Sequence, residues 1–527
     1  MSFLTEQVKA DLLRDIESFA ETTERFSKKE VSCRDYKGYS GGFGSFAERG
    51  AGSGMFRMRL PGGRIRHEHL GFIADVIERY ELPVIHCTTG QSLQFHKLDG
   101  KRIVALFKEC HAKGIYSRGC GGNYIHNITG PALSGVHPAE QFVVAPYVAI
   151  MSEYILSQIL YIDLPNKFKT AFVGDYETAS HGRFKDIGFL AKPEGRFDVY
   201  AAGGIGAASA QGVCVGRDVA PEDILYYMKA MLLMSSEEGD RTSHTKGRTR
   251  FILARLGEEA FVARYKEFLA RVQAEENLAF TLPVESERGI AVASDANVQA
   301  ASHDAAVLTH PRIGAQKQAG LYYVSYHPVG GTIPREVFLA LLHYLSNSEG
   351  TEIRLTGEEG LYVVNLTAEE AKAVAAMTED GARTRFEASV SCIGSTVCQI
   401  GFQDSQGLLA TCIRRLREEG LSHEYLPKIH ISGCPSSCGT HQVGHIGFHG
   451  AVKLVDKKPV PGFTMFVGGS EEHGHERFGK QLGVMAATDI PEFFVALAKL
   501  LQEANLPYEA WIGDHQEELE ALAGKFI

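Results

Sequence analysis

The sequence contains no uninterrupted apolar stretch long enough to cross a bilayer, which argues against an integral membrane protein. It has no excess of basic residues either. The net charge of −10 disfavours a protein that binds nucleic acid through a broad basic face. The first residues lack the basic start, apolar centre and cleavage site of a secretory signal. With ten cysteines in 527 residues, a disulfide framework is not expected, and we predict a cytoplasmic protein.

Four cysteines in the last third of the chain form the most informative pattern. Cys392 and Cys398 have the spacing C-x5-C, and Cys434 and Cys438 follow as C-x3-C after a gap of 35 residues. Thiolates ligate zinc or iron–sulfur clusters, and the five-residue gap favours iron because paired zinc ligands usually lie closer in sequence. Small residues beside each cysteine allow backbone N–H groups to approach the sulfurs. We predict a metal or cluster site; the alternative is unligated buried cysteines.

Two distant segments, 52–80 and 318–345, share one design and continue in the same way. Each reads strand, Pro/Gly turn, helix, strand, Thr-Gly turn, strand, helix. Neither half has enough core to stand alone, so we predict that the two half-domains pair into one pseudo-symmetric unit. Three landmarks recur with a constant offset of 267 residues: Pro61 and Pro328, Thr89 and Thr356, and Gly114 and Gly381.

The repeat divides the chain into five predicted regions of an α+β protein. Both regions that follow a repeat half mix strands with helices, which suggests that they are equivalent to each other. The regions are an N-terminal helix and wrapping segment (1–50), the first half-domain (51–115), a middle region (116–310), the second half-domain (311–382) and a C-terminal region (383–527).

Three groups of basic residues are candidates for anion binding. Lys167 and Lys169 alternate along a strand and therefore share one face, where two like charges favour an anion between them. Solvent exposure is the alternative for each group. The other two groups are Arg57 beside the first Pro-Gly-Gly turn, and Arg241, Lys246, Arg248 and Arg250 in the stretch DRTSHTKGRTRF.

The cysteine spacing, the RLPGG turn, the KFK strand and the two-half repeat together resemble the siroheme-dependent nitrite and sulfite reductase family, over roughly residues 40–510. The resemblance implies two ferredoxin-like half-domains, a siroheme and substrate domain in the middle region, and a cluster-binding domain in the C-terminal region. It implies that the four cysteines hold a 4Fe–4S cluster. By the same resemblance, Cys438 also ligates the siroheme iron.

The resemblance also assigns roles to the other candidates. Arg57, Lys167 and Lys169 are expected to bind substrate oxygens above the iron and to deliver protons. Gln91 and Gln94 match a family segment that lines the macrocycle. The group formed by Arg241, Lys246, Arg248 and Arg250 is expected to bind siroheme carboxylates.

Three positions depart from the family pattern. His126 stands where a second substrate arginine is expected, and its charge near neutral pH depends on its surroundings. Gly90 and Asn166 stand where arginines for siroheme carboxylates are expected. Arg118 and Arg64 are the candidates for replacing them.

The resemblance leaves two substrates open. Family nitrite reductases of the ferredoxin type tend to have Asn where Lys169 stands, so the Lys-x-Lys pair favours a dianion, and we expect a sulfite reductase of sulfur assimilation. The alternatives are a nitrite-to-ammonia reductase, a precorrin monooxygenase on the same scaffold, and a non-catalytic iron–sulfur or zinc protein. Since the chain has no convincing flavin or NAD(P)H motif, we expect a separate electron donor, either ferredoxin or a flavoprotein.

Overall fold

The computed structural model describes residues 2–49, 53–177, 181–280, 282, 303–421 and 424–527. The predicted boundary between residues 50 and 51 lies outside this part of the chain. Among the described residues, no helix is both long enough and apolar enough to pass through a bilayer.

The N-terminal segment, the first half-domain and the middle region are built from helices and short strands. The first two contain α1 (Glu6–Ser27), α2 (Cys33–Gly41), β1 (Phe46–Ala47), β2 (Gly54–Met58), β3 (Arg64–Ile65), α3 (His67–Arg79), β4 (Ile85–Cys87), β5 (Leu93–Leu98) and α4 (Gly100–Ala112). The middle region contains β6 (Ile125–Thr129), α5 (Ala145–Gln158), β7 (Phe168–Val173), β8 (Ile187–Lys192), β9 (Arg196–Ala201), β10 (Val213–Val219), α6 (Ile224–Glu238), α7 (Thr249–Leu256) and α8 (Glu258–Glu275).

The second half-domain and the C-terminal region repeat these designs. The half-domain contains β11 (Ile313–Ala315), β12 (Tyr322–Tyr326), β13 (Thr332–Ile333), α9 (Arg335–Ser346), β14 (Glu352–Leu355), β15 (Leu361–Leu366) and α10 (Ala368–Met377). The C-terminal region contains β16 (Val390–Ser391), α11 (Ser405–Glu418), β17 (Ile429–Ser432), β18 (Ile446–Val455), β19 (Lys458–Val467), β20 (Lys480–Ala486), α12 (Ile490–Ala504), α13 (Tyr508–Trp511) and α14 (Gln516–Gly524).

The two half-domains exchange one strand each. Their sheets have the orders β1-β2-β5-β4-β13 and β11-β12-β15-β14-β3. Ile65 of β3 pairs with Ile353 of β14, and Ile333 of β13 pairs with Ile85 of β4. Buried residues of both halves form one continuous core. The predicted pairing into a pseudo-symmetric unit is therefore present, and the exchanged strands explain why neither half completes its own sheet.

Glycines make the turn before each exchanged strand. Gly62 and Gly330 have φ angles of 60° and 68°, and Gly63 and Gly331 have 74° and 71°. A Cβ on Gly63 would lie 2.4 Å from the carbonyl oxygen of Leu355, so only glycine fits this close crossing. The same backbone geometry at both turns supports the repeat seen in the sequence.

The middle and C-terminal regions contain matching sheets, with the orders β10-β9-β8-β7-β6 and β16-β17-β18-β19-β20. In each, the first three strands in sequence are parallel and the last two are antiparallel. The predicted equivalence of the two regions agrees with this shared topology. The fold is α+β, as predicted.

Polar contacts join the middle region to the C-terminal region. The Gln442 side chain donates a 2.8 Å hydrogen bond to the carbonyl oxygen of Gly206. Arg183 pairs with Glu476 at 3.3 Å, and His181 Nε2 lies 2.5 Å from a carboxylate oxygen of Glu471. These contacts hold together the two sheets whose loops form the candidate site.

Candidate active site

A cavity of about 1370 Å³ lies between the first half-domain, the middle region and the C-terminal region. Common ligand pockets measure roughly 300–1,000 Å³, so this one has room for a large cofactor together with a substrate. Most of the predicted site residues line it: Arg57, Gln94, His126, Lys167, Lys169, Cys392, Cys398 and Cys438.

Arg57 lies on β2 in register with Gln94 of β5. Its Nη1 donates a 2.8 Å hydrogen bond to the carbonyl oxygen of Cys120. With the Gln94 amide oriented to accept, its oxygen lies 2.5 Å from Arg57 Nη2 and 2.9 Å from Nε. These acceptors are neutral, and although burial lowers the pKa of Arg57, a guanidinium stays protonated. Its charge is therefore available to an anion in the cavity.

Lys167 and Lys169 lie at the start of β7 and reach the same cavity. In the described part of the chain, neither ammonium group forms an ion pair with a carboxylate. Burial and the nearby cation Arg248 lower the pKa of Lys167, while burial and two other lysines lower the pKa of Lys169 well below its usual value. Unpaired neighbouring ammonium groups are costly unless an anion binds there, which favours anion binding over simple solvent exposure.

A third lysine on the cavity wall, Lys185, is not among the sequence-based candidates. It comes two residues before β8, which pairs in parallel with β7, and this pairing brings it close to Lys169. Local sequence spacing does not reveal which strands are neighbours. The sequence feature that could have indicated Lys185 is a Lys-Asp pair directly before the apolar run IGFL.

Arg248 forms a buried ion pair with Asp186. Its Nε and Nη2 lie 3.1 and 2.6 Å from the two carboxylate oxygens. Asp186 also accepts a 2.7 Å hydrogen bond from the backbone N–H of Lys169. Both side chains of the pair are at most 4% exposed. Arg248 thus anchors the strand that carries Lys169, a different contact from the siroheme carboxylate predicted for it.

Replacing Arg248 with methionine should destabilise the protein by about 3–5 kcal/mol, because the charge of Asp186 would be left buried and unpaired. Urea unfolding of the holoenzyme measures this loss. Arg241→Met is the control, since Arg241 is exposed and its pair with Asp163 should contribute less than about 1 kcal/mol. Equal losses in the two variants would contradict the assignment.

The other three residues of the predicted carboxylate-binding group differ in how deeply they are buried. Arg241 is exposed and pairs with Asp163 at 2.8 Å, and Lys246 is also exposed. Arg250 is 8% exposed, and its Nε and Nη1 have no hydrogen-bond partner among the described residues. Burial and Arg248 lower its pKa to about 10, so it remains charged. A buried guanidinium with free donors fits an acidic group such as a siroheme carboxylate.

His126 lies on β6 and shares the cavity with the lysines. Its Nε2 is 3.1 Å from the carbonyl oxygen of Gly122, so this nitrogen carries the proton that it donates there. Burial and the charge of Lys169 lower the pKa of His126 well below its usual value. The imidazole is therefore neutral near pH 7 and does not supply the positive charge expected of an arginine at this position.

Cys392, Cys398 and Cys438 line the cavity, whereas Cys434 is buried and is not part of the lining. Cys392 follows β16, and the pair Cys434 and Cys438 follows β17, which is the parallel neighbour of β16, so both motifs leave the same end of the sheet. Cys398 lies in a loop held by Arg49, whose guanidinium donates to three backbone carbonyls between residues 398 and 401.

Backbone N–H groups approach the sulfurs, as the small flanking residues predict. The N–H of Gly433 lies 3.1 Å from Cys392 Sγ, and those of Ile400 and Gly401 interact with Cys398. Burial raises the pKa of Cys392 to about 12, so a thiolate there requires a bound cation. In the described ranges, no three His, Cys, Asp or Glu side chains converge as a single-ion site requires.

Gln91 does not line the cavity, contrary to the prediction. Its φ of 51° turns the side chain away, and its amide nitrogen donates to the carbonyl oxygens of Gly130 (2.8 Å) and Leu355 (3.0 Å). Its amide oxygen accepts the N–H of Gly130 at 2.8 Å. Gln91 therefore connects the two half-domains to the middle region, and only Gln94 of the predicted pair reaches the cavity.

Neither candidate for the two missing arginines is free to replace them. Arg118 is bound to the carboxylate of Asp15 and lies over the ring of Tyr124 at 4.1 Å. Arg64 pairs with Glu352 at 2.5 Å. Arg118 lines the cavity and Arg64 does not, and the existing partners of both guanidinium groups disfavour the role suggested from the sequence.

Comparison with protein-family models gives two matches. A model described as the nitrite and sulphite reductase 4Fe-4S domain matches residues 121–272 and 384–509, more than half of the chain. A model of the nitrite/sulfite reductase ferredoxin-like half domain matches residues 47–113. The two segments of the first match contain the two sheets of equal topology.

Curated relatives match most of the chain. The chloroplastic ferredoxin–nitrite reductase of Arabidopsis thaliana is 26% identical over 459 residues, covering 82% of this chain and 74% of the relative. The ferredoxin–nitrite reductase of Synechococcus elongatus is 26% identical over 456 residues, covering 83% and 84%. The assimilatory ferredoxin-dependent nitrite reductase of Haloferax mediterranei is 25% identical over 509 residues, covering 89% and 84%.

Among solved structures, the Mycobacterium tuberculosis NirA protein has the same fold, with a TM-score of 0.74, 19% identity and 92% coverage of both chains. The family matches confirm the predicted cofactors, siroheme and a 4Fe–4S cluster, and exclude a non-catalytic role. The chain belongs to the nitrite and sulphite reductase family and is an oxidoreductase of that family.

Proposed function

We propose that this protein reduces nitrite to ammonium with electrons from ferredoxin. The carrying observation is a group of cationic side chains, Arg57, Lys167 and Lys169, that line the same cavity as Cys438 and form no ion pair with a carboxylate of the described residues. The three relatives described above are named ferredoxin-dependent nitrite reductases, which supports nitrite over the sulfite expected from the sequence. When bound, siroheme would supply a redox-active iron for the oxyanion, and the cluster would supply electrons.

The protein residues that would hold these cofactors are on the cavity wall and beside it. The four cysteines would bind the cluster, with Cys438 shared with the siroheme iron. The buried guanidinium of Arg250 would bind a siroheme carboxylate, since its Nε and Nη1 have no partner within the described residues. Gln94 would lie beside the macrocycle and keep the Arg57 guanidinium in place.

The cationic residues have two tasks. The first is binding, since positive groups fixed before the substrate arrives stabilise an anion without reorganisation. The second is proton delivery, because reduction of nitrite to ammonium takes up eight protons with six electrons and releases two waters. Lys167 and Lys169 suit this task because burial and neighbouring cations lower the pKa of both, which makes each a better acid. Neutral His126 is a hydrogen-bonding group rather than a cation at this site.

Sulfite is the second candidate substrate because of Lys169. A dianion gains about twice the Coulomb energy of a monoanion from the same ammonium group. Three lysines on one cavity wall are more charge than a monoanion needs. The precorrin monooxygenase alternative does not account for these lysines, and retention of a siroheme absorption spectrum in the purified protein would exclude it.

The experiment is to measure turnover of nitrite and sulfite with the same reduced ferredoxin. We expect kcat/KM for nitrite to exceed that for sulfite by about tenfold or more, a difference of about 1.4 kcal/mol in transition-state stabilisation. A higher kcat/KM for sulfite would reverse the assignment of substrate. A flavoprotein donor that supports faster turnover than ferredoxin would reverse the assignment of partner.

A further inference from the structure

Lys185 is a buried lysine whose ammonium group has no acidic partner of its own. It is 6% exposed and lines the same cavity as Lys167 and Lys169. Within the part of the chain that the structure describes, its ammonium group forms no ion pair or hydrogen bond. A buried charge of this kind is retained at a large cost in desolvation, so a ligand of opposite charge is expected beside it.

The acids nearest to Lys185 are already used. The carboxylate of Asp186 is bound by the guanidinium of Arg248 and by the backbone N–H of Lys169. Glu471 is bound by His181, and its charge reaches Lys185 only at longer range. Burial and Arg248 lower the pKa of Lys185, whereas Asp186 and Glu471 raise it, but both carboxylates already have other partners, so neither is free to neutralise this ammonium group.

We propose that Lys185 is a third ammonium group of the anion site and determines how strongly the cavity prefers doubly charged over singly charged oxyanions. This inference rests on the proposed function, because it concerns the same cavity. It assigns a specificity-determining role to a residue that neither the cysteine motif nor the Lys-x-Lys strand includes.

Lys185 offsets the loss of charge at position 126. His126 is neutral near pH 7, so the cavity lacks one of the cations that the family resemblance predicts. Burial and Arg248 lower the pKa of Lys185 to about 8, which leaves it mostly protonated at pH 7. The cavity therefore keeps its positive charge, supplied by a different strand.

A free oxyanion is a better partner for Lys185 than a cofactor carboxylate. Lys185 and Lys169 line the same cavity, and among the charged neighbours that lower the pKa of Lys169, Lys185 has the largest effect, so the two ammonium groups lie close together. Lys169 in turn interacts with Cys438, the predicted ligand of the siroheme iron. An anion held by both lysines would thus lie on the substrate side of the cavity.

The test uses the resting enzyme without a reductant, so it does not depend on turnover. Sulfate and nitrate are titrated calorimetrically into the resting holoenzyme at pH 7, in the wild type and in Lys185→Gln. If the monoanion loses about fivefold in affinity, the dianion should lose about 25-fold, because Coulomb energy scales with the charge of the ligand. Lys185→Arg should keep the affinity for both anions. Lys192→Gln is the matched control, a half-buried lysine at the far end of β8 that pairs with Asp218.

Several results would overturn the proposal. Equal losses for sulfate and nitrate would indicate a structural defect, and unchanged affinities would remove Lys185 from the site. Loss of siroheme absorbance with unchanged sulfate affinity would assign Lys185 to a cofactor carboxylate instead. A failure of nitrite reduction would leave these binding results intact, so the two proposals can be separated.

A second measurement covers the case in which Lys185→Gln does not fold. At pH 9 the wild-type Lys185 is largely neutral, given its pKa of about 8, whereas an arginine at this position stays charged. Lys185→Arg should then bind sulfate several-fold more tightly than the wild type at pH 9 and about equally at pH 7. Sulfate and nitrate do not titrate in this range. If the ratio of the sulfate affinities of Lys185→Arg and the wild type is the same at pH 7 and pH 9, the proposal is overturned.

Discussion

Replacing Cys438 with serine should lower nitrite turnover by more than about 100-fold, since loss of a residue that merely orients a metal ligand already costs 10- to 100-fold. Cys438 lines the cavity together with Cys392 and Cys398. A serine oxygen is a poor ligand for iron–sulfur clusters, so the link between cluster and siroheme should be lost together with the electron supply.

Three measurements on the Cys438→Ser variant check this expectation: iron and sulfide content, the visible spectrum and turnover with reduced ferredoxin. Cys214→Ser is the control, because Cys214 is a half-buried cysteine on β10 outside the cavity. A Cys438→Ser protein with unchanged spectrum, redox behaviour and turnover would remove Cys438 from the cofactor site. A loss of the same size in Cys214→Ser would point to a general sensitivity of the fold.

The features predictable from the sequence are those whose partners lie close together in the chain. The cysteine pairs are local motifs, and their convergence follows from two parallel strands, β16 and β17. The repeat is visible because its Pro-Gly-Gly turns need glycine at Gly63 and Gly331, where φ is positive in both halves. Arg57, Lys167 and Lys169 reach the cavity as predicted, since each lies on or next to a strand whose pattern is clear.

The features missed by sequence analysis depend on which elements become neighbours. Lys185 joins the lysines only because β8 lies beside β7. Gln91 turns away from the cavity because its left-handed backbone aims the amide at Gly130 and Leu355. Arg248 forms an ion pair with Asp186, more than sixty residues away in the chain. It therefore does not join the residues that were expected to bind cofactor carboxylates. Side-chain direction and long-range partners are properties of the assembled fold, so spacing alone does not give them.

The second large effect is expected at Lys169. Lys169→Ala should lower turnover by about 10²- to 10⁴-fold, the usual contribution of a positioned proton donor, while both cofactors stay bound. The loss should be larger for sulfite than for nitrite because a dianion depends more on the removed charge. Lys167 and Arg57 remain in the variant, so some anion binding should persist.

Lys169→Arg separates the two tasks of this residue. Arginine keeps the positive charge but holds its proton at every accessible pH, whereas the pKa of Lys169 is lowered well below its usual value by burial and by Lys185. We therefore expect Lys169→Arg to keep KM within a few-fold of the wild type and to lose most of kcat, while Lys169→Ala loses both. Wild-type kcat in Lys169→Arg would show that charge alone suffices and that the protons come from another group. An unchanged KM together with a lowered kcat in Lys169→Ala would instead show that Lys169 donates protons without contributing to anion binding.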